Sequence, residues 1–85
     1  MTDTLQPTFD QLAVIIGEKL HIPRDQIKPE TALKDIEMDS LAIIEVMLAA
    51  ETQFGTSIPM EEVSTDGSAG DLHRLVVAAV DASRS

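Results

Sequence analysis

The stretch from Asp39 to Gly55 constrains the fold more than any other part of the chain. It opens on Asp39-Ser40, two residues favoured at helix N-caps and each worth about 1 kcal/mol in that role. It closes on Phe54-Gly55, where glycine supplies the left-handed stop. No proline or glycine interrupts it between those points. At about 100° per residue, Ile43, Val46, Met47, Ala50 and Phe54 fall on one stripe. That is the spacing of a helix face turned to a core.

The rest of the chain follows the same helical logic. Residues 1–6 are expected to be a frayed tail. Pro7-Thr8 opens a first helix, with Phe9, Leu12, Ala13, Ile16 and Leu20 at helical spacing and Asp10 in the first turn. His21-Ile22-Pro23 ends it, because proline disfavours helical geometry in the residue before it. Residues 21–39 form a long connection broken by Pro23 and Pro29. Ile22, Ile27, Leu33 and Ile36 are spaced irregularly through it and read as anchors to the core. After Gly55, Ile58-Pro59 is a short extended link and Met60–Ser64 holds one helical turn, with Glu61 and Glu62 near its start. Thr65-Asp66-Gly67 reads as a turn, and Ser68-Ala69-Gly70-Asp71 as a capping box with Asp in place of Glu. A last helix follows, with Leu72, Leu75, Val76 and Ala79 on one face. No alternating strand pattern occurs. The expected architecture is all-α: a four-helix bundle of three main helices, one short helix and a long first loop. It is expected to be a single domain over residues 1–85, folded from about 8 to 82. A chain of 85 residues leaves no room for a second domain, and buries only about 60 % of its unfolded surface.

Charge narrows the function classes. The chain carries 15 acidic and 6 basic residues, a net charge of −9. With 44 % hydrophobic residues it is not a disordered composition. The acidic balance argues against nucleic acid, whose binders need Lys and Arg to neutralise phosphates, and against an anionic membrane surface. The longest apolar runs, Leu12–Ile16 and Leu75–Val80, are far too short to span a bilayer. Cysteine is absent, which removes disulfides, zinc-thiolate sites and thiol catalysis together. A small secreted domain would want disulfide staples, and Met1-Thr2-Asp3-Thr4 lacks the basic start of a signal peptide. The expected location is the cytoplasm. All of the net charge lies between Asp35 and His73, which hold nine acidic residues and no Lys or Arg. The remaining six acids balance all six bases. That segment is either a solvated acidic surface or the complement of a basic partner.

The second helix also carries Leu41, Ile44 and Leu48 nearly opposite its core stripe, on the side of Glu45 and flanked by Glu51 and Thr52. The helix is then either buried all round or bears an exposed apolar patch rimmed by acids. Glu45 and Glu51 fit the second arrangement, which is that of an interaction surface.

Asp39-Ser40-Leu41 at a helix start, then a helix ending in Phe54-Gly55, then Ile58-Pro59, resembles the acyl carrier proteins of bacterial fatty-acid and polyketide synthesis. The Asp-Ser-Leu tripeptide is common by itself. The constellation is specific: first helix, long loop with Leu33, motif, Phe54-Gly55-x-x-Ile58-Pro59 and acidic middle occur in order, over about residues 8–82. The resemblance implies an acyl-carrier four-helix bundle and a covalent 4′-phosphopantetheine on Ser40. A separate transferase would make the Ser40 hydroxyl attack the pyrophosphate of coenzyme A, leaving a phosphodiester. The arm's thiol would carry acyl groups as thioesters, importing the reactive sulfur that this cysteine-free chain lacks. Asp39 would help engage the transferase and its magnesium ion. Leu41, Ile44, Glu45, Leu48 and Glu51 would meet basic, apolar-centred patches on ketosynthase, acyltransferase and other synthase enzymes. The carrier itself would be a monomer without catalytic residues. A phosphodiester on Ser40 agrees with the preference of helix N-termini for anions, although a serine there also serves as a plain N-cap.

Two positions depart from the family pattern. Such carriers usually have glycine two residues before the motif's Asp, where this chain has Glu37. Glycine there permits an unusual turn, and the extra acid bears on transferase recognition. Ala42 follows Leu41 where many fatty-acid carriers place an acid, which points to a specialised polyketide-type pathway. The alternatives are a peptidyl carrier, usually with another residue before the serine and a less acidic second helix, and an unmodified acidic helical adaptor. His21 and His73 lack a partner at metal-ligand spacing, so no metal site is expected, and His73 is expected on the solvent side of the last helix. Met47 reads as core filler. Ala49, Ala50, Ala78, Ala79 and Ala82 either leave space for an acyl chain or serve as good helix formers.

Overall fold

The computed structural model describes residues 8–84, with side chains placed to residue 83. The expected tail and Pro7 lie outside the described residues. Three α-helices organise the fold: α1 (Phe9–Leu20), α2 (Ser40–Phe54) and α3 (Ala69–Arg84). The short fourth element is a 3-10 turn over Met60–Glu62. Two further 3-10 turns, Arg24–Gln26 and Leu33–Ile36, shape the long loop. Neither was expected from the sequence, because short turns of this kind carry no periodicity. Among the described residues, the nearest approach to a strand is one isolated bridge between Ala32 and Ser68.

Each helix starts where its capping chemistry places it. Thr8 and Gln11 form a reciprocal capping box on α1, with bonds of 2.9 and 3.1 Å. Ser68 and Asp71 do the same for α3: the Ser68 N–H donates to Asp71 Oδ2 at 2.9 Å, and the Asp71 N–H to Ser68 Oγ at 3.3 Å. The expected Ser-x-x-Asp box therefore forms.

The helices bury the expected stripes against one another. Leu12, Ala13 and Ile16 of α1, Ile43, Val46, Met47 and Ala50 of α2, and Leu72, Val76 and Ala79 of α3 are buried. Phe9, Leu20, Phe54 and Leu75 pack half-buried on this core. Ile15, Met38 and Val80 are also buried, beyond the residues the stripes single out. Removing a Leu or Ile side chain from water contributes about 1.5–3 kcal/mol each, which is where most of the stability of such a small bundle resides.

The long loop is held by both side chains and backbone. Ile27 and Leu33 are buried, and Ile22 and Ile36 half-buried. The loop also runs beside the start of α3. Ala69 N–H donates to the Thr31 carbonyl at 2.9 Å, Gly70 N–H to the Pro29 carbonyl at 2.8 Å, and Leu33 N–H to the Gly67 carbonyl at 3.1 Å. A Cβ on residue 70 would sit 2.8 Å from that Pro29 oxygen, so this approach requires glycine.

His73 corrects an expectation. It is half-buried rather than on the solvent side, and its ring meets Phe9 edge-on, with centroids 5.8 Å apart and planes at 88°. The contact joins α3 to the first turn of α1. Thr56 is a second tie that the sequence did not announce. Its buried hydroxyl donates to the Ala79 carbonyl at 3.0 Å and shares a 2.5 Å bond with Ser83 Oγ, fastening the end of α2 to the end of α3.

Candidate functional site

The start of α2 divides the two candidate capping residues into different roles. Asp39 is the N-cap: its backbone is extended and its Oδ1 accepts the Ala42 N–H at 2.9 Å. Ser40 is the first helical residue. Its side chain is exposed, and its hydroxyl makes no hydrogen bond among the described residues. The reading of Ser40 as a plain N-cap therefore fails, because Asp39 does that work. The first bond of the helix ladder runs from the Ile43 N–H to the Asp39 carbonyl at 2.9 Å, and the N–H groups of Ser40 and Leu41 stay outside it. Ser40 Oγ thus has no partner among the described residues and sits at the positive end of α2, where an attached phosphate would be favoured.

The corner leading into this site is a left-handed one. Glu37 follows the 3-10 turn Leu33–Ile36 with φ 59° and ψ 36°. Its N–H donates to the Lys34 carbonyl at 3.2 Å, and the next N–H, of Met38, reaches back to Leu33 at 3.0 Å. This bond pair turns the chain sharply and sends Met38 into the core, where it is 2 % exposed. The position two residues before Asp39 therefore has left-handed geometry, and Glu37 adopts it.

Two clefts meet at Ser40. One, of about 460 Å³, is lined by Lys34, Glu37, Met38, Asp39, Ser40 and Thr65. The other, of about 180 Å³, is lined by Ser40, Ile43, Ile44, Met60, Val63 and Thr65 and is more apolar in its side chains. A third cleft, of about 340 Å³, is lined by Ala78, Ala79 and Ala82 together with residues of the 57–62 link. It lies outside the two clefts at Ser40.

Along α2 the second apolar face is exposed. Leu41 is 65 %, Ile44 44 % and Leu48 51 % accessible, so the helix is not buried all round. Glu45 stands exposed on this side. Glu51 differs: it is half-buried, and its Oε2 accepts the Ile58 N–H at 2.7 Å. That bond holds the extended link against the last turn of α2. Two bases at the ends of the acidic segment are engaged within it, Lys34 with Asp66 at 3.2 Å and Arg74 with Asp71. Among the described residues, Glu37, Asp39 and Glu45 form no ion pair, so the surface around Ser40 keeps its negative charge.

A small helical bundle that presents a free serine hydroxyl on an acidic, apolar-centred helix has the form of a carrier domain. Comparison with known proteins agrees. Residues 10–76 match the family described as the phosphopantetheine attachment site. The chain is 43 % identical over 61 residues to an acyl carrier protein of Acidothermus cellulolyticus, covering 71 % of this chain and 73 % of that protein. It is 38 % identical over 64 residues to acyl carrier protein AcpXL of Rhizobium meliloti, covering 74 % and 67 %. With an acyl carrier protein of Helicobacter pylori it shares 32 % identity over 69 residues, 80 % of this chain and 88 % of that one. The chain belongs to the acyl carrier protein family. Its phosphopantetheine attachment domain carries 4′-phosphopantetheine as a covalent prosthetic group, and proteins of this kind work with synthase enzymes and phosphopantetheinyl transferases.

Proposed function

We propose that Ser40 is the attachment residue and that the chain, as a single carrier domain, presents acyl groups to the enzymes of a specialised pathway, polyketide-type rather than primary fatty-acid synthesis. The observation that carries the assignment is the division of labour at the head of α2. Asp39 takes the capping bond and leaves the exposed Ser40 hydroxyl without a partner among the described residues. The N–H groups of Ser40 and Leu41 lie beside it to favour a phosphodiester. When bound, the prosthetic group supplies a long flexible arm ending in the thiol that this cysteine-free chain lacks.

The roles of the other residues follow from their positions. Asp39 holds the helix start rigid and offers its second carboxylate oxygen to the approaching transferase and its magnesium ion. Leu41, Ile44 and Leu48 give a docking face its apolar centre, and Glu45 gives it charge. Glu51 belongs to this face by position, but its main contact is with Ile58, so its part in docking is secondary. Ketosynthase and acyltransferase partners with basic patches around an apolar centre would complement the face. No residue of the chain is assigned a catalytic step, and the carrier is the substrate of its transferase. Ala42 and the similarity to an acyl carrier protein given its own name, AcpXL, support a specialised role. A cytoplasmic location and a monomeric state complete the reading. Among the described residues no helix is long and apolar enough to cross a membrane.

Incubation with coenzyme A and several transferases of broad carrier specificity, followed by intact-mass measurement, tests the proposal. The expected result is a single phosphopantetheine addition to the wild-type chain and none to Ser40→Ala. Addition that persists in Ser40→Ala would move the site, and no addition with any transferase would remove the carrier reading of this chain.

A further inference from the structure

Among the described residues, one cation lines the clefts that meet at Ser40. Lys34 stands on the wall of the cleft of about 460 Å³ with Glu37, Asp39 and Ser40. The smaller, more apolar cleft has no charged lining residue. The segment that follows Lys34, from Asp35 to His73, holds nine acids and no Lys or Arg. The cleft wall therefore sets a single positive charge beside two carboxylates in an acidic region.

Backbone fixes where this cation stands. Lys34 lies in the 3-10 turn Leu33–Ile36. Its carbonyl accepts the Glu37 N–H at 3.2 Å, and the Glu37 carbonyl accepts the Asp39 N–H at 3.1 Å. Two hydrogen bonds thus lead from Lys34 to the residue before Ser40. On the other side, the Leu33 N–H donates to the Gly67 carbonyl at 3.1 Å, and Ala32 bridges Ser68. These ties bring the 65–67 turn alongside, and Lys34 Nζ meets Asp66 Oδ1 at 3.2 Å. Thr65, next to Asp66, lines both clefts at Ser40.

That contact does not commit the lysine to one partner. The Lys34 and Asp66 side chains are 73 % and 79 % exposed, and an ion pair so open to water contributes little. The ammonium has three donors, of which Asp66 Oδ1 takes one. A phosphodiester on Ser40 Oγ adds a negative charge to a rim that Glu37 and Asp39 already hold. Lys34 is the cation of this chain placed to offset it, across the cleft from the N–H groups at the helix start.

We propose that Lys34 is a positioning residue for the prosthetic group, its ammonium shared between Asp66 and the phosphodiester on Ser40. The inference rests on Ser40 being the attachment residue. It ties the root of the arm to the long loop and leaves the rest of the arm free to reach partner enzymes.

The stability of the full chain before and after loading tests it. Wild type, Lys34→Gln, Lys34→Arg and Asp66→Asn are loaded with coenzyme A and a transferase, and intact mass checks that loading is complete. Both forms of each are then unfolded in urea at low salt. Loading is expected to lower the unfolding equilibrium constant about two- to fivefold more in wild type than in Lys34→Gln, the range of one exposed ion pair. Lys34→Arg should keep the wild-type gain, and the difference should close as salt is raised. Asp66→Asn should keep the gain as well, because the ammonium then has one partner fewer. In NMR spectra the Lys34 side-chain signals should move on loading, while those of Lys19 and Lys28, which line neither cleft, stay in place. An equal gain in wild type and Lys34→Gln overturns the inference, as do Lys34 signals that ignore loading. A gain that vanishes in Asp66→Asn overturns it too, since it assigns the effect to the Lys34–Asp66 pair alone. A wild-type chain that takes up no mass, or takes it up away from Ser40, removes the Ser40 assignment and this inference with it. Full loading of Ser40 with no dependence on Lys34 sinks the inference alone.

Discussion

Val46 and Met47 are fully buried, whereas Leu48, the next residue along α2, is 51 % exposed. The two faces of this helix carry side chains of similar size and apolarity. One face packs into the core cluster that all three helices share, and the other stands largely open, with Ile44 at the edge of the cleft that Met60 and Val63 line. The difference shows that apolarity alone does not define a core. The buried stripe lacks charge, while the exposed one is interleaved with Glu45 and, at its edge, the half-buried Glu51. A core helix would exclude those acids or pair them. A surface that meets a basic, apolar-centred partner keeps them for orientation and encounter.

Substitutions on the two faces should therefore separate stability from partner function. Met47→Ala leaves a cavity at the centre of the bundle and should lower unfolding free energy by about 2–5 kcal/mol. Urea denaturation measures it, and a loss well under 1 kcal/mol would mean that the buried face is not the core. Glu51→Ala comes next. It leaves the Ile58 N–H without its 2.7 Å acceptor, at a cost of about 1–3 kcal/mol. If stability is unchanged and only partner kinetics suffer, Glu51 belongs wholly to the docking face. Glu37→Gly should stabilise by about 1 kcal/mol through relief of the left-handed strain, read as a higher denaturation midpoint. Destabilisation would show that the Glu37 side chain supports the fold after all. Leu48→Asp and Glu45→Lys should change stability by about 0.5 kcal/mol or less, yet impair acyl transfer by partner enzymes. Unchanged partner kinetics in both would remove this face as the docking site.

Much of this comparison is legible in the amino-acid sequence. The helix starts beside Thr8 and at Asp39-Ser40, the Ser68-x-x-Asp71 box, the Gly55 stop and the core stripes follow from spacing and local chemistry, and the structure has them. The two apolar faces of α2 were also visible, because helical geometry alone decides which residues lie opposite one another. What stayed hidden depends on segments far apart in sequence. The Thr56 hydroxyl meets Ala79 and Ser83 across the bundle, and no local pattern announces that. His73 carries a titratable ring and looked like a surface residue, yet the approach of α3 to α1 sets it against Phe9. Met38 is buried because the corner at Glu37 turns it inward, an outcome of one backbone dihedral. In the sequence Glu51 shows only its charge, whereas its bond to Ile58 depends on how the link returns past α2. At Ser40 the sequence left two roles open. One hydrogen bond, from Ala42 N–H to Asp39 Oδ1, decides which residue is the cap.

Peptide mapping of the loaded protein tests the central claim most directly. After incubation with coenzyme A and transferase, the chain is digested and the fragment holding Asp39-Ser40-Leu41 is sequenced by tandem mass spectrometry. The account predicts the phosphopantetheine mass on Ser40 and on no other serine or threonine. A modification mapped to Ser57, Ser64, Ser68 or Ser83, or a fragment at Ser40 that stays unmodified while the intact chain gains mass, would contradict it.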